Sequence, residues 1–278
     1  MPEFSGIILF GGVLMVIDFH THAFPVNIAE RAISSLVAGS NNAYTPCSDG
    51  SSFGLVKNME KFGVDLSVVQ PVVTKPSQTK TVNLWAYQIT GKYLISFGGI
   101  HPETDDYKRD IDLITTLHLP GIKLHPEYQG FELDDPKMMR IYDYAISRGL
   151  MLMFHAGKDP AFPPPVHSSP AKFAKIRREL GGGTIIAAHL GGLGQWAEVE
   201  EQLAGEDVYL DTSMGFKYYH RDRFLRIVKK HGADKILFGS DSPWSRADEE
   251  LKIFRGLPLT AEEQELILSG NAKRLLKL

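Results

Sequence analysis

Eight short runs of this chain are nearly continuous in apolar residues: 15–20 (MVIDFH), 66–73 (LSVVQPVV), 95–100 (ISFGGI), 121–125 (GIKLH), 150–155 (LMLMFH), 184–189 (TIIAAH), 208–213 (VYLDTS) and 236–241 (ILFGSD). A strand with one wet face alternates apolar and polar residues. Runs without alternation are covered on both faces, as in a parallel sheet clothed by helices. Segments of helical period separate them at 79–91, 103–118, 134–149, 170–180, 193–204 and 216–232. In DDPKMMRIYDYAISRG, Met138, Ile141, Tyr142 and Ala145 fall on one stripe, Pro136 suits a first helical position and Gly149 ends the helix. Strand and helix thus alternate from end to end, and eight such units close a ring. The expectation is an α/β fold, a single-domain (β/α)8 TIM barrel over residues 15–278, a length that one such barrel fills.

Four of the runs end in residues that a divalent metal accepts: His20 and His22 after MVIDF, His155 after LMLMF, His189 after TIIAA, and Asp241 after KILFGS. The carboxyl ends of barrel strands meet at one mouth, so positions more than two hundred residues apart converge there. An H-x-H pair alone arises often by chance. Its period-two spacing nevertheless places both imidazoles on one face, with Asp18 expected below them. Five ligand-type side chains at the ends of different strands point to a metal. Lys123 and His125 share a face at the end of another run, and Trp244 follows Asp241 as a candidate wall for a planar substrate. His101, before a proline, reads as a turn residue, while Arg246, His167 and Lys158 are weaker candidates for substrate contact.

The connection after the first run is long, passing through VNIAERAISSLVAG and SNNAYTPCSDGSS to a helix near 55–62. An insertion there is either a wall of the pocket mouth or a surface excursion. The proline-rich stretch GKDPAFPPPVHSSP presents the same choice.

A formal charge of −3 and the lack of any Lys/Arg block give no footprint for nucleic acid or an anionic membrane, which leaves a small-molecule substrate. Whether the chain forms a homo-oligomer is open. Cys47 is the only cysteine, so neither an intrachain disulfide nor a thiolate cluster can form. That fits a reducing, cytoplasmic location and leaves His, Asp and Lys as metal ligands. Residues 1–14 read as an N-terminal hydrophobic extension: the apolar stretch IILFGGVLMVI is too short to span a bilayer and lacks a basic flank. Since Met15 begins MVIDFH directly, the extension is also read as an upstream-start artefact.

The ordered set Asp18-x-His20-x-His22, GIKLHP (121–126), FHAG (154–157), AHLGG (188–192), YLDTS (209–213), FGSDSPW (238–244) and the terminal SGNAKRLL resembles the amidohydrolase superfamily, in particular its amidohydrolase-2 branch of metal-dependent barrel hydrolases. The resemblance implies that His20, His22, His155 and Asp241 hold one divalent ion, most often zinc. It makes Asp241 and His189 the catalytic pair, or His189 a ligand of a second ion bridged through Lys123. Lys123 is otherwise an ammonium that binds a substrate carboxylate or a salt-bridged structural lysine, and His125 and Trp244, by their positions, are substrate-binding candidates with a turn or packing role as the alternative. The chemistry implied is a metal-activated water attacking an amide, ester or lactone of a small, carboxylated molecule. The same branch includes metal-dependent non-oxidative decarboxylases of aromatic or dienoic acids, which is the alternative expectation. A barrel nuclease fits less well, because Lys123 stands where those enzymes carry an acidic ligand.

Overall fold

The computed structural model describes residues 14–278, so the extension expected over 1–14 lies outside the described residues apart from Leu14. Nine short strands follow in order: β1 (Ile17–Thr21), β2 (Leu66–Val69), β3 (Leu94–Ser96), β4 (Gly98–Gly99), β5 (Gly121–Leu124), β6 (Met151–Phe154), β7 (Ile185–Ala187), β8 (Tyr209–Asp211) and β9 (Ile236–Leu237). Strands β1 to β3 pair in parallel in sequence order, as do β4 to β9. The ring closes between last and first: Phe19 N–H donates to the Phe238 carbonyl at 2.8 Å, and Asp241 N–H to the His20 carbonyl at 2.8 Å. This is the expected α/β TIM barrel.

The run expected as one strand over 95–100 is broken at Phe97. Phe97 N–H still donates to Val69 O of β2 at 2.9 Å, whereas two residues on the Asn83 side-chain amide donates to Gly99 O at 2.9 Å and accepts from Gly99 N at 2.8 Å. A side chain thereby satisfies backbone groups that a strand ladder would otherwise pair. A Cβ on Gly98 would lie 2.7 Å from the same Asn83 oxygen, so the close approach requires glycine.

Alternation along the strands sorts the core into two layers. Met151, Met153, Ile186, Ala188 and Leu237 pack inside the ring with Phe19 and Phe97, while Leu152, Phe154, Ile185, Ala187, Ile236 and Phe238 join the layer shared with the helices. The C-terminal helix Asn271–Leu276 sets Ala272, Leu275 and Leu276 against the inner layer and stoppers that end of the barrel. Helix Pro136–Ser147 buries the expected stripe of Met138, Ile141, Tyr142 and Ala145, and Asp135 caps it by accepting from Lys137 N. Helix Arg221–His231 starts later than the 216–232 expected. The segment 193–204 is helical over residues 196–203, with α geometry at Trp196–Glu198 and the wider π geometry at Val199–Leu203. Gly194, at φ 70°, holds the chain before it out of the helical region. Two helices, Val26–Gly39 and Ser52–Phe62, lie between β1 and β2. Among the described residues, no helix is long and apolar enough to cross a membrane.

Candidate metal centre and active site

The residues singled out in the sequence meet at the carboxyl ends of the strands, and the backbone departs from regularity to bring them there. Strict alternation could not send both Phe19 into the inner core and His20 into the mouth. A register shift between Asp18 and Thr21 in β1 allows it. Asp18 stays against His20, its Oδ1 accepting from His20 N at 3.3 Å. It accepts from Ser240 N at 2.8 Å and Ser240 Oγ at 2.5 Å, and burial pushes its carboxyl up to about 7. His189 and Asp241 adopt left-handed backbone, at φ 57° and 69°, which turns both side chains into the mouth.

Hydrogen-bond partners fix which ring nitrogens carry protons. His22 Nδ1 lies 2.9 Å from the Gln70 carbonyl, and His20 Nδ1 lies 2.9 Å from Asp211 Oδ2. Both partners are acceptors, so both Nδ1 atoms donate and both Nε2 atoms present lone pairs. Those two Nε2 atoms are 3.2 Å apart, and Asp241 Oδ1 is 3.3 Å from the first and 3.1 Å from the second. Three acceptors therefore converge with no proton among them. Ligands held tetrahedrally at about 2.0–2.1 Å from an ion are roughly 3.3 Å apart, so the donor set fits a divalent cation. Burial pushes His20 well below the usual histidine range, with the nearby Lys123 ammonium adding to the effect, and this keeps the ring neutral and its lone pair available.

His155 stands apart from that triangle. Its Nδ1 lies 3.0 Å from His189 Nε2, its Nε2 lies 3.1 Å from the Lys158 carbonyl, and its ring stacks on His125 at 4.2 Å. His189 Nδ1 faces Ser213 O at 3.3 Å and Ser213 Oγ at 2.9 Å. By the same reasoning, His155 Nδ1 and His189 Nε2 face each other as a second pair of lone pairs. Burial holds both rings well below the usual histidine range.

Lys123 is 1% exposed, and its Nζ lies 3.4 Å from His20 Nε2. Burial lowers its ammonium to about 8, opposed by the negative charges of Asp211 and Asp241. His125 lines the same cleft with Nε2 3.5 Å from Asp159 Oδ2, and its Nδ1 also caps the short helix Pro126–Gln129. Trp244 lies against Tyr44 at 5.7 Å between ring centres. With Phe24 and Tyr128 these rings make an aromatic wall around a cleft of about 140 Å³. His101 is the expected turn residue, its Nδ1 accepting from Glu103 N at 3.1 Å. Arg246 pairs with Asp248 at 2.6 Å, and among the described residues it does not line this cleft.

Sequence reasoning missed Asp211 and Ser213 as parts of the site. Asp211 Oδ1 accepts from His189 N at 3.0 Å and Ser213 N at 2.9 Å, while Oδ2 holds His20. Ser213 Oγ lies 2.9 Å from Nδ1 of both His20 and His189. The signal was present in YLDTS, a run that also ends in polar residues.

A family profile described as amidohydrolase matches residues 17–278. The chain belongs to the amidohydrolase family. It is a metal-dependent enzyme of that family, and the converging acceptors of His20, His22 and Asp241 are a group that could hold a metal ion. No curated protein matches this amidohydrolase in sequence. Among solved structures it resembles a 5-carboxyvanillate decarboxylase from Sphingomonas paucimobilis (TM-score 0.70, 14% identity, 96% of this chain and 100% of that one). It also resembles a dihydroxybenzoic acid decarboxylase from Polaromonas with bound manganese and an inhibitor (TM-score 0.71, 14% identity, 96% and 98%). A third is a probable 2-pyrone-4,6-dicarboxylic acid hydrolase from Acinetobacter baumannii (TM-score 0.65, 16% identity, 95% and 99%). These likenesses establish the barrel of this amidohydrolase.

Proposed function

We propose that this amidohydrolase-family enzyme removes carbon dioxide, without oxidation, from a small aromatic acid. The observation that carries the reading is a buried ammonium, Lys123, beside the acceptor triangle in a cleft sized for one ring. The decarboxylases among the similar structures support it.

His20, His22 and Asp241 would hold the divalent ion, with His155, the fourth ligand that the resemblance implies, paired to His189 nearby. When bound, the ion supplies a Lewis acid that draws the oxygens of the substrate and stabilises negative charge as the carbon–carbon bond breaks. Manganese, as in the Polaromonas protein, and zinc both suit this donor set. Lys123 pairs with the substrate carboxylate until carbon dioxide leaves. Trp244 and Tyr44 hold the ring flat. The electron pair left on the ring carbon needs one proton, which Asp241, lining the cleft, would take up from solvent water and deliver to that carbon. His189, held by Ser213, keeps its Nε2 lone pair beside the triangle, where it would accept a proton from a substrate hydroxyl. The segment between β1 and β2 contributes Phe24, Leu36 and Tyr44 to the cleft, which is the work of a substrate wall.

Hydrolysis of a lactone or ester is the second reading, supported by the likeness to the probable pyrone dicarboxylic acid hydrolase and by an Asp241–His189 pair able to move a proton from water. Purified metal-loaded protein incubated with hydroxybenzoates, aryl esters and lactones separates the two. Carbon dioxide release from a hydroxybenzoate is expected; cleavage of esters or lactones with no carbon dioxide from any acid selects hydrolysis.

A further inference from the structure

The cleft at the acceptor triangle and the space outside it differ in size and chemistry. The inner cleft, about 140 Å³, is close to the roughly 150 Å³ that takes up a single benzene. Beyond it lies a vestibule of about 580 Å³, within the range of sites that hold an entire small molecule. The two adjoin, since Tyr44, Asp159 and Leu193 line both. The proline-rich loop supplies one wall of the vestibule through Phe162 and Pro163–Val166, and Trp196, Met214 and Tyr218 also line it. Phe162 and Tyr218 remain 36% and 53% exposed. A stiff proline loop keeps such a surface formed without a ligand, so a ligand would find it ready-made.

We infer that the substrate is a two-part acid: a single-ring carboxylated head for the inner cleft, joined to an uncharged apolar or aromatic extension that occupies the vestibule. This deepens the proposed function and rests on its placement of the head. Charge argues for a neutral extension, because the vestibule carries one ammonium, Lys158, against the carboxyl groups of Asp159 and Glu127. A second anionic group would find no surplus positive charge there. Size argues in the same direction. A one-ring acid fills the inner cleft and leaves the larger space to water, whereas an extension removes apolar surface of both partners from water.

Calorimetric titration of the metal-loaded protein with salicylate and with a set of phenylsalicylate isomers tests the inference independently of turnover. The isomer whose phenyl group points outward should bind about tenfold or more tightly than salicylate. Tyr218→Ala and Phe162→Ala, both substitutions of exposed side chains, should each shrink that preference severalfold. Equal affinities, failure of every isomer to bind at millimolar concentration, or a preference untouched by either substitution overturns the inference. Carbon dioxide release is scored separately. Tight binding of an isomer without release leaves the vestibule standing and sinks the decarboxylase reading, while release from salicylate with no preference for the isomers does the reverse.

Discussion

Lys123 Nζ lies 3.4 Å from His20 Nε2, a cation set against the lone pair of a ring that burial keeps neutral. A buried ammonium in that position is costly unless it faces anions, and Asp211 and Asp241 are the carboxylates that sustain it. A substrate carboxylate entering the cleft adds a third. Lys123→Met preserves most of the volume and removes the charge. It should lower kcat/KM for an acid substrate about 10- to 100-fold, the worth of a charged hydrogen bond. The sign of the pH effect follows from burial. The ammonium is present below about 8 and lost above it, so activity of the native enzyme falls as pH rises through about 8. The variant should lack that alkaline limb, and a steady-state pH profile of both proteins checks it.

Asp211 touches no substrate, yet it fixes His20 through Oδ2 and the backbone of His189 and Ser213 through Oδ1. Partners of this kind set the tautomer and direction of a metal-binding histidine. Asp211→Asn can present an amide hydrogen to His20 Nδ1, which turns the lone pair away from the acceptor triangle. Metal affinity should weaken about 10- to 100-fold. Competition titration against a chromogenic chelator measures it, and an unchanged affinity removes Asp211 from the site's support.

The two groups of facing acceptors predict two classes of metal binding. His20, His22 and Asp241 should retain one ion per chain after dialysis, and the His155–His189 pair should take up a second only at higher metal concentration. Chelator should abolish turnover, and His22→Ala should abolish tight binding. His155→Ala should keep the tight ion and lose the weak one. Elemental analysis of the dialysed variants decides the matter. Loss of the tight ion from His155→Ala would instead favour the four-ligand set that the sequence resemblance implies.

The barrel was legible because strands buried on both faces cannot hide: MLMF and IIA are apolar at every position, and β6 and β7 occupy those positions. The gathering of His20, His22, His155, His189 and Asp241 at the mouth was legible for the same reason, since strand ends can be read from where apolar runs stop. The pairing within that group was not. Which histidine faces which depends on the register shift in β1 and on left-handed backbone at His189 and Asp241, and neither leaves a residue-type signature. Asp18 shows the limit, because a period-two argument placed it by His20, whose N–H it does meet at 3.3 Å, but nothing in that argument foretold its bonds to Ser240. The role of Asn83 was equally hidden, since it reaches the Gly99 backbone from a helix.

Glu250 ties together two loops at the mouth, and it does so as a buried acid. Its side chain is almost wholly enclosed, with Oε1 accepting from Ser245 Oγ at 2.9 Å and Oε2 from Phe216 N at 3.3 Å. Burial raises it from 4.5 to about 7, a displacement of about 3 kcal/mol. The folded chain therefore holds a proton that the unfolded chain has released between those two values. Stability from this group is fully present below the unfolded value and declines as pH rises through the folded one. Glu250→Gln keeps both contacts, since its amide oxygen can accept from Phe216 N and its NH2 can donate to Ser245 Oγ, but it does not titrate. Thermal melts should show the native protein losing stability relative to Glu250→Gln between pH 4.5 and 7. His231, lowered to about 4 by burial, gains stability with rising pH in an overlapping window, but it is common to both proteins and cancels in the difference. Parallel melting curves across that range would mean the carboxyl is ionised in the folded state. The link between Phe216 and Ser245 would then be an ion held by two neutral donors, and the mouth would not loosen as the pH approaches neutrality.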